Sequence, residues 1–187
     1  LKEAQFEADY VVSTGGIDNT EVIRQAIPQD HKEMFEYEKK FDVLFIGSLY
    51  TGDRLRLDEY LLNQYEGKYY QFGDKLQIRG KDLNHVLGQT KIAVGDSYPK
   101  PGYWSNRVYE ICGRGGFIIH PEVEGLKDEF PDIVTYKHND FDDLQSKIDY
   151  YLEHEDEREE IRNKCFTSCP TFKERVKDFI KLTKNYG

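Results

Sequence analysis

An α/β domain built on a doubly wound parallel sheet is the fold class this sequence predicts, and two observations predict it. Short apolar runs alternate along the chain with longer segments of helical periodicity, the arrangement of parallel strands joined by right-handed crossovers. Several runs, such as Val43-Leu44-Phe45-Ile46 and Phe117-Ile118-Ile119, are continuous rather than alternating, as strands covered on both faces require.

Six strands follow from this reading. The first, Tyr10 to Ser13, leads through a Thr14-Gly15-Gly16 turn into helical and charged sequence ending at Glu36-Tyr37-Glu38-Lys39-Lys40. Residues 1–40 have no core of their own, so they read as the end of an upstream domain and a linker, with residues 41–187 forming the main domain. The second strand is Asp42 to Gly47. It is followed by a helix whose stripe is Leu55, Leu57, Tyr60, Leu61 and Tyr65. Tyr69 to Phe72, Lys91 to Val94, Gly116 to His120 and Ile133 to Tyr136 supply the remaining strands. Phe141, Leu144, Ile148, Tyr151 and Leu152 repeat the helical rhythm. The acidic run from Glu153 to Glu160 sits where the next helix begins and suits its positive end. Phe172, Val176, Phe179 and Ile180 mark a terminal helix that docks back on the fold.

Composition narrows the function classes. A chain of 187 residues makes one ordinary domain or one and a fragment, and its formal net charge of −9 repels phosphate backbones. Lys and Arg are scattered, which disfavours nucleic acid as a partner. The apolar runs fall far short of the ~20 residues that a membrane helix needs, so no membrane span is predicted. Cys112, Cys165 and Cys169 have no Cys-x-x-Cys spacing and read as buried thiols in a reducing, cytoplasmic setting. None of the five histidines has a nucleophilic partner at recognisable spacing, so a hydrolase triad has no support. His120 is the most interesting of them because it closes a buried strand.

Two stretches carry chemistry. Gly47-Ser48-Leu49-Tyr50-Thr51-Gly52-Asp53-Arg54 joins a strand to a helix, where an open parallel sheet presents backbone N–H groups to an anion. Gly47 also reads simply as the strand-to-helix turn, because neither the dinucleotide fingerprint nor a Walker loop is spelled here. In the second stretch, a helix opening near Ser105 offers Asn106 and Arg107 to an anion, with Glu110 one turn on. A diphosphate and a ribose suit that arrangement, and an Arg107–Glu110 surface pair is the plainer reading.

The ordered combination Asp42-Val43-Leu44-Phe45-Ile46-Gly47-Ser48, Ser105-Asn106-Arg107-Val108-Tyr109-Glu110 and Gly115-Gly116-Phe117-Ile118-Ile119 resembles the carboxy-terminal half of CgeB-like glycosyltransferases. These belong to the group-1 superfamily of GT-B fold, and the resemblance runs from about Phe41 to Lys184. It implies a Rossmann-like domain that binds a nucleotide-diphosphate sugar, UDP-linked by default, beside a missing amino-terminal GT-B domain. Arg24-Gln25-Ala26-Ile27-Pro28 falls at the family's interdomain crossing. By resemblance, Glu110 holds the ribose hydroxyls, Gly47 and Ser48 lie against the diphosphate, and Arg54 and Arg107 meet its charge. Gly73, Ile78 and Arg79 match the region that receives the base, and Asp96, Ser97 and Tyr98 line the cleft.

The resemblance implies no metal and no separate cofactor, since cationic side chains neutralise the leaving group. Gly102 stands where many retaining members carry the first of two glutamates separated by seven residues, which leaves donor identity and stereochemical outcome open. The acceptor stays open, and no catalytic residue is assigned, because the base in such enzymes usually comes from the other domain. Two alternatives remain. One is a non-catalytic binding or assembly module of the same fold, using Tyr50, Tyr69, Tyr70, Tyr98, Tyr103 and Trp104 as an aromatic surface. The other is a flavodoxin- or receiver-type domain, for which the needed acidic pair at a first strand end is missing.

Overall fold

The computed structural model describes residues 12–13, 21–73, 76–97 and 101–184. Two short strands, β1 (Val12–Ser13) and β2 (Glu21–Val22), pair in parallel as a sheet of their own. The main sheet is β3 (Phe41–Ile46), β4 (Tyr69–Phe72), β5 (Thr90–Val94), β6 (Ile118–Pro121) and β7 (Val134–Tyr136). All its pairings are parallel and its order is β4-β3-β5-β6-β7.

Both sheet faces are covered, and β3 shows why its run is continuous. Val43 and Phe45 turn to one face and Leu44 to the other, each no more than 1% exposed. The first face packs Leu57 and Leu61 of α1 (Gly52–Gln64) and Leu144 and Ile148 of α5 (Phe141–Glu153). The second packs α2 (Gly80–Gly88) and α3 (Arg107–Cys112). The stripes read from the sequence are the buried faces of α1 and α5. Thr51 caps α1 by accepting from the Arg54 N–H at 3.3 Å, and Asp140 caps α5 by accepting from the Asp143 N–H at 3.0 Å. A short α4 (Leu126–Glu129), then α6 (Glu155–Ser168) and α7 (Phe172–Lys184), complete the fold, and α6 opens on Glu155, Asp156 and Glu157.

Residues 23–40 depart from the helical sequence expected there, since they carry no helix. Apart from a turn in which the Pro28 and His31 carbonyls accept from the N–H groups of residues 31–33, the segment is held by the rest of the domain. Ile27 donates to the Pro170 carbonyl at 3.1 Å and accepts from the Phe172 N–H at 3.0 Å. Asn84 Nδ2 donates to the carbonyls of His31 and Glu33 at 3.0 and 2.7 Å. Lys32 donates to the Cys169 carbonyl at 2.5 Å, and Glu36 pairs with Arg162 at 2.7 Å. The segment thus runs as an extended strap, with Ile27 fully buried. Tyr69 and Trp104 are also buried, whereas Tyr50 and Tyr70 are exposed, so the aromatics weighed as one surface are divided between core and solvent.

Candidate functional site

The strand order fixes where a ligand fits. From β3 the chain winds one way to β4 and then crosses back to β5, so the carboxyl ends of β3 and β5 form a topological switch point. A cleft of about 220 Å³ opens there, lined by Arg54, Asp96, Ser97, Tyr103, Ser105 and His138 among others. That volume is below the ~300–1,000 Å³ of pockets that enclose a whole drug-sized ligand, so it takes part of one.

Asp96, just beyond β5, is the centre of this rim. Arg54 Nε donates to its Oδ2 at 2.5 Å, and Arg107 Nη1 is paired with its Oδ1. The three side chains are 15%, 12% and 18% exposed for Arg54, Arg107 and Asp96. Arg54 also donates to the Ser48 carbonyl at 3.0 Å and stacks over Tyr50 at 4.8 Å. Arg107 lies over the Phe45 ring at 5.0 Å. Burial, with the Arg54 charge adding to it, lowers the Arg107 pKa to about 10.

Gly47 and Gly73 form the floor beside this pair. Gly47 has φ 155° and Gly73 φ 137°; a Cβ on Gly73 would sit 2.5 Å from the Gly47 carbonyl carbon, and one on Gly47 would sit 2.5 Å from Arg107 Nη2. The Gly47 N–H donates to the Phe72 carbonyl at 2.7 Å, its carbonyl accepts from Gln71 Nε2 at 2.6 Å, and Ser48 Oγ donates to the Gly73 carbonyl at 3.3 Å. Gly47 therefore serves close packing of two loops and an arginine, with its own N–H already used.

Glu110 belongs to a neighbouring network. Its Oε2 accepts from Arg114 Nε at 2.9 Å and Nη2 at 2.7 Å. Arg114 also donates to the Gly80 carbonyl at 2.8 Å, to Asn84 Oδ1, and to His31 Nδ1 at 2.9 Å. Glu110 is thereby tied to the segment that holds Ile78, which packs on the core, and Arg79, which is exposed. Of the residues expected in the site, Arg54 and Ser105 line the cleft, and Arg107, Gly47 and Ser48 join it through Asp96 and Arg54. Gly73 backs the floor, while Glu110, Ile78 and Arg79 stand to one side. Asn106 is exposed at the start of α3, which begins at Arg107 rather than at Ser105. Tyr98 lies outside the described residues.

The structure adds groups that the sequence did not single out for the site, chiefly Tyr103 and His138. His138 Nε2 lies 3.2 Å from the Ser97 carbonyl. His120 is fully buried beside Gly95; its Nδ1–H donates to the Pro121 carbonyl at 2.8 Å, which leaves Nε2 an acceptor with no protein partner among the described residues. Burial lowers its pKa to about 4, so it is neutral near pH 7. Asp140-Phe141-Asp142 spells the Asp-x-Asp pattern of many metal-using transferases, yet here Asp140 caps α5. Among the described residues, no group of three or more His, Cys, Asp or Glu side chains is placed to hold a metal ion. No described helix is long and apolar enough to cross a membrane.

A five-stranded parallel sheet with helices on both faces and a cationic rim at its switch point defines the class: an α/β domain of the kind found in GT-B glycosyltransferases. The chain belongs to the glycosyl transferase-like family, whose model matches residues 27–180. No curated protein matches it by sequence.

Among solved structures, it is similar to a glycosyltransferase from Rickettsia africae ESF-5, with TM-score 0.64, 13% identity, and coverage of 90% of this chain and 57% of that one. It is also similar to the pneumococcal O-GlcNAc transferase GtfA in complex with UDP and GlcNAc (TM-score 0.55, 12% identity, 90% and 40% covered). AviGT4, a glycosyltransferase involved in avilamycin A biosynthesis, matches with TM-score 0.52 and 17% identity, 92% and 58% covered. The chain thus spans between 40% and 58% of the length of these structures.

Proposed function

We propose that this chain is the carboxy-terminal, donor-binding half of a CgeB-like GT-B glycosyltransferase, with residues 41–187 gripping a nucleotide-diphosphate sugar. Residues 1–40 are then the end of the amino-terminal domain and the linker. The observation that carries this reading is the convergence of Arg54 and Arg107 on one carboxylate at the β3/β5 switch point. Two guanidinium groups held that close suit a diphosphate, whose oxygens accept the same charge-assisted hydrogen bonds. By positioning the donor and spreading the charge of the leaving diphosphate, such a rim assists glycosyl transfer without a metal. Glu110, held by Arg114 with Oε2, presents the rest of its carboxylate toward a ribose. The buried free thiols support the cytoplasmic reading.

UDP is the first nucleotide to test, because one fold neighbour was solved with UDP and GlcNAc. Calorimetric titration against UDP, GDP, CDP, ADP and TDP, each beside its nucleoside and with or without magnesium, tests the proposal. A metal-independent preference for a diphosphate over its nucleoside is expected. Equal binding of diphosphate and nucleoside removes the arginine pair from the function.

A second reading is a non-catalytic nucleotide-binding or assembly module. The exposed Tyr50 and Tyr70 favour it as the remaining aromatic surface. Turnover by the chain joined to its upstream partner domain separates the two.

A further inference from the structure

The seat between Arg54 and Arg107 is already filled by a side chain of this protein. Asp96 receives both guanidinium groups, one on each carboxylate oxygen. A carboxylate and a phosphoryl group both accept charge-assisted hydrogen bonds from guanidinium N–H groups, so the two compete for this pair of arginines. The surroundings leave the arginines little room to serve both. Arg107 is packed between the Phe45 ring and the Cα of Gly47, and Arg54 is held by the Ser48 carbonyl and the Tyr50 ring. A second anion beside a retained Asp96 carboxylate would also meet like charge at contact distance, which is costly in a half-buried rim.

We propose that Asp96 is an internal competitor for the diphosphate seat, so that an anion enters only by exchanging with this carboxylate. The inference rests on the donor-binding reading above and adds a specificity-determining residue to it. Asp96 keeps the two half-buried arginines oriented and offsets one of their two charges while the seat is free of ligand. It also sets a threshold, because a weak or singly charged anion gains too little from the pair to displace it. Other titratable groups at Arg107 and the rim include His120, His138, Asp53 and the phenols of Tyr50, Tyr103 and Tyr136.

The test is Asp96→Asn, titrated calorimetrically with UDP, inorganic pyrophosphate and uridine beside the wild-type chain. The amide keeps the shape and removes the charge. UDP and pyrophosphate should bind about tenfold tighter, in keeping with one charged hydrogen-bond interaction freed for the ligand, and uridine should be unchanged. Asp96→Glu keeps the carboxylate and should stay near the wild-type affinity. Asp96→Ser serves as the uncharged variant if Asp96→Asn does not fold.

Weaker or unchanged binding of UDP in a folded Asp96→Asn protein overturns competition and makes Asp96 an organiser of the arginines. Tightening by Asp96→Glu equal to that by Asp96→Asn overturns it too, since charge is then not the cause. If pyrophosphate tightens but UDP never exceeds pyrophosphate in either protein, competition stands and the nucleotide-donor reading falls. If none of the three ligands binds either protein, both fall.

Discussion

Arg107 opens α3 and Arg114 lies just beyond its end, the first mostly and the second fully buried, and they are held in opposite ways. Arg114 is 2% exposed and its donors are saturated, by Glu110, Gly80, Asn84 and His31. Arg107 has one carboxylate, which it shares with Arg54, and an aromatic face. Saturation makes an arginine a structural tie, because every hydrogen bond lost in water is regained inside the protein. An arginine with one shared partner and a pKa lowered to about 10 keeps unused affinity for an anion. The contrast teaches which buried cation belongs to the fold and which to the site.

The largest expected effect lies on the structural side of this contrast. Arg114→Met should lower unfolding stability by about 3 kcal/mol, since it strands Glu110, Asn84 and the Gly80 carbonyl together; urea unfolding measures it. An Arg114→Met protein with an unmoved unfolding midpoint breaks the comparison. Next comes Arg107→Met, expected to cost about 2 kcal/mol of UDP affinity with uridine binding and unfolding midpoint little changed. If uridine and UDP weaken alike, Arg107 shapes the fold instead. The same affinity should decline as pH rises through about 10, where Arg107 gives up its proton and its attraction for the diphosphate. Glu110→Gln should have the smallest effect, about 1 kcal/mol, because the amide oxygen still accepts from Arg114. The loss should be larger for UDP than for its 2′-deoxy analogue, and an equal loss for both removes Glu110 from the 2′-hydroxyl.

Much of the sheet was legible in the sequence. Asp42–Gly47 was expected and Phe41–Ile46 is found; Tyr69–Phe72 is found as expected. Continuous apolar runs leave a strand buried on both faces few alternatives. The strap was not legible. Its charged residues have helix-forming character, but its conformation is set by Asn84, Arg162 and the Pro170–Phe172 backbone, all distant in sequence. By resemblance, Arg54 and Arg107 were expected at one diphosphate with Asp96 in the cleft. Their pairing through the Asp96 carboxylate was not, because it depends on the register that carries β5 beside β3 and aims Asp96 between them. Glu110 was visible as a carboxylate, but its engagement by Arg114 requires a buried guanidinium, which no local pattern announces.

The strap also constrains how the molecule comes into being. Lys32 reaches the Cys169 carbonyl across 137 residues of sequence, and Ile27 bridges to Thr171. Contacts so distant carry a loop-closure penalty that is recovered late, and proteins rich in them fold slowly. On the ribosome, the β3–β7 sheet can emerge in order while residues 23–40 wait with their docking groove unbuilt. The groove is finished only when Pro170 to Phe172 leave the exit tunnel, so the earliest part of the described domain is the last to lock.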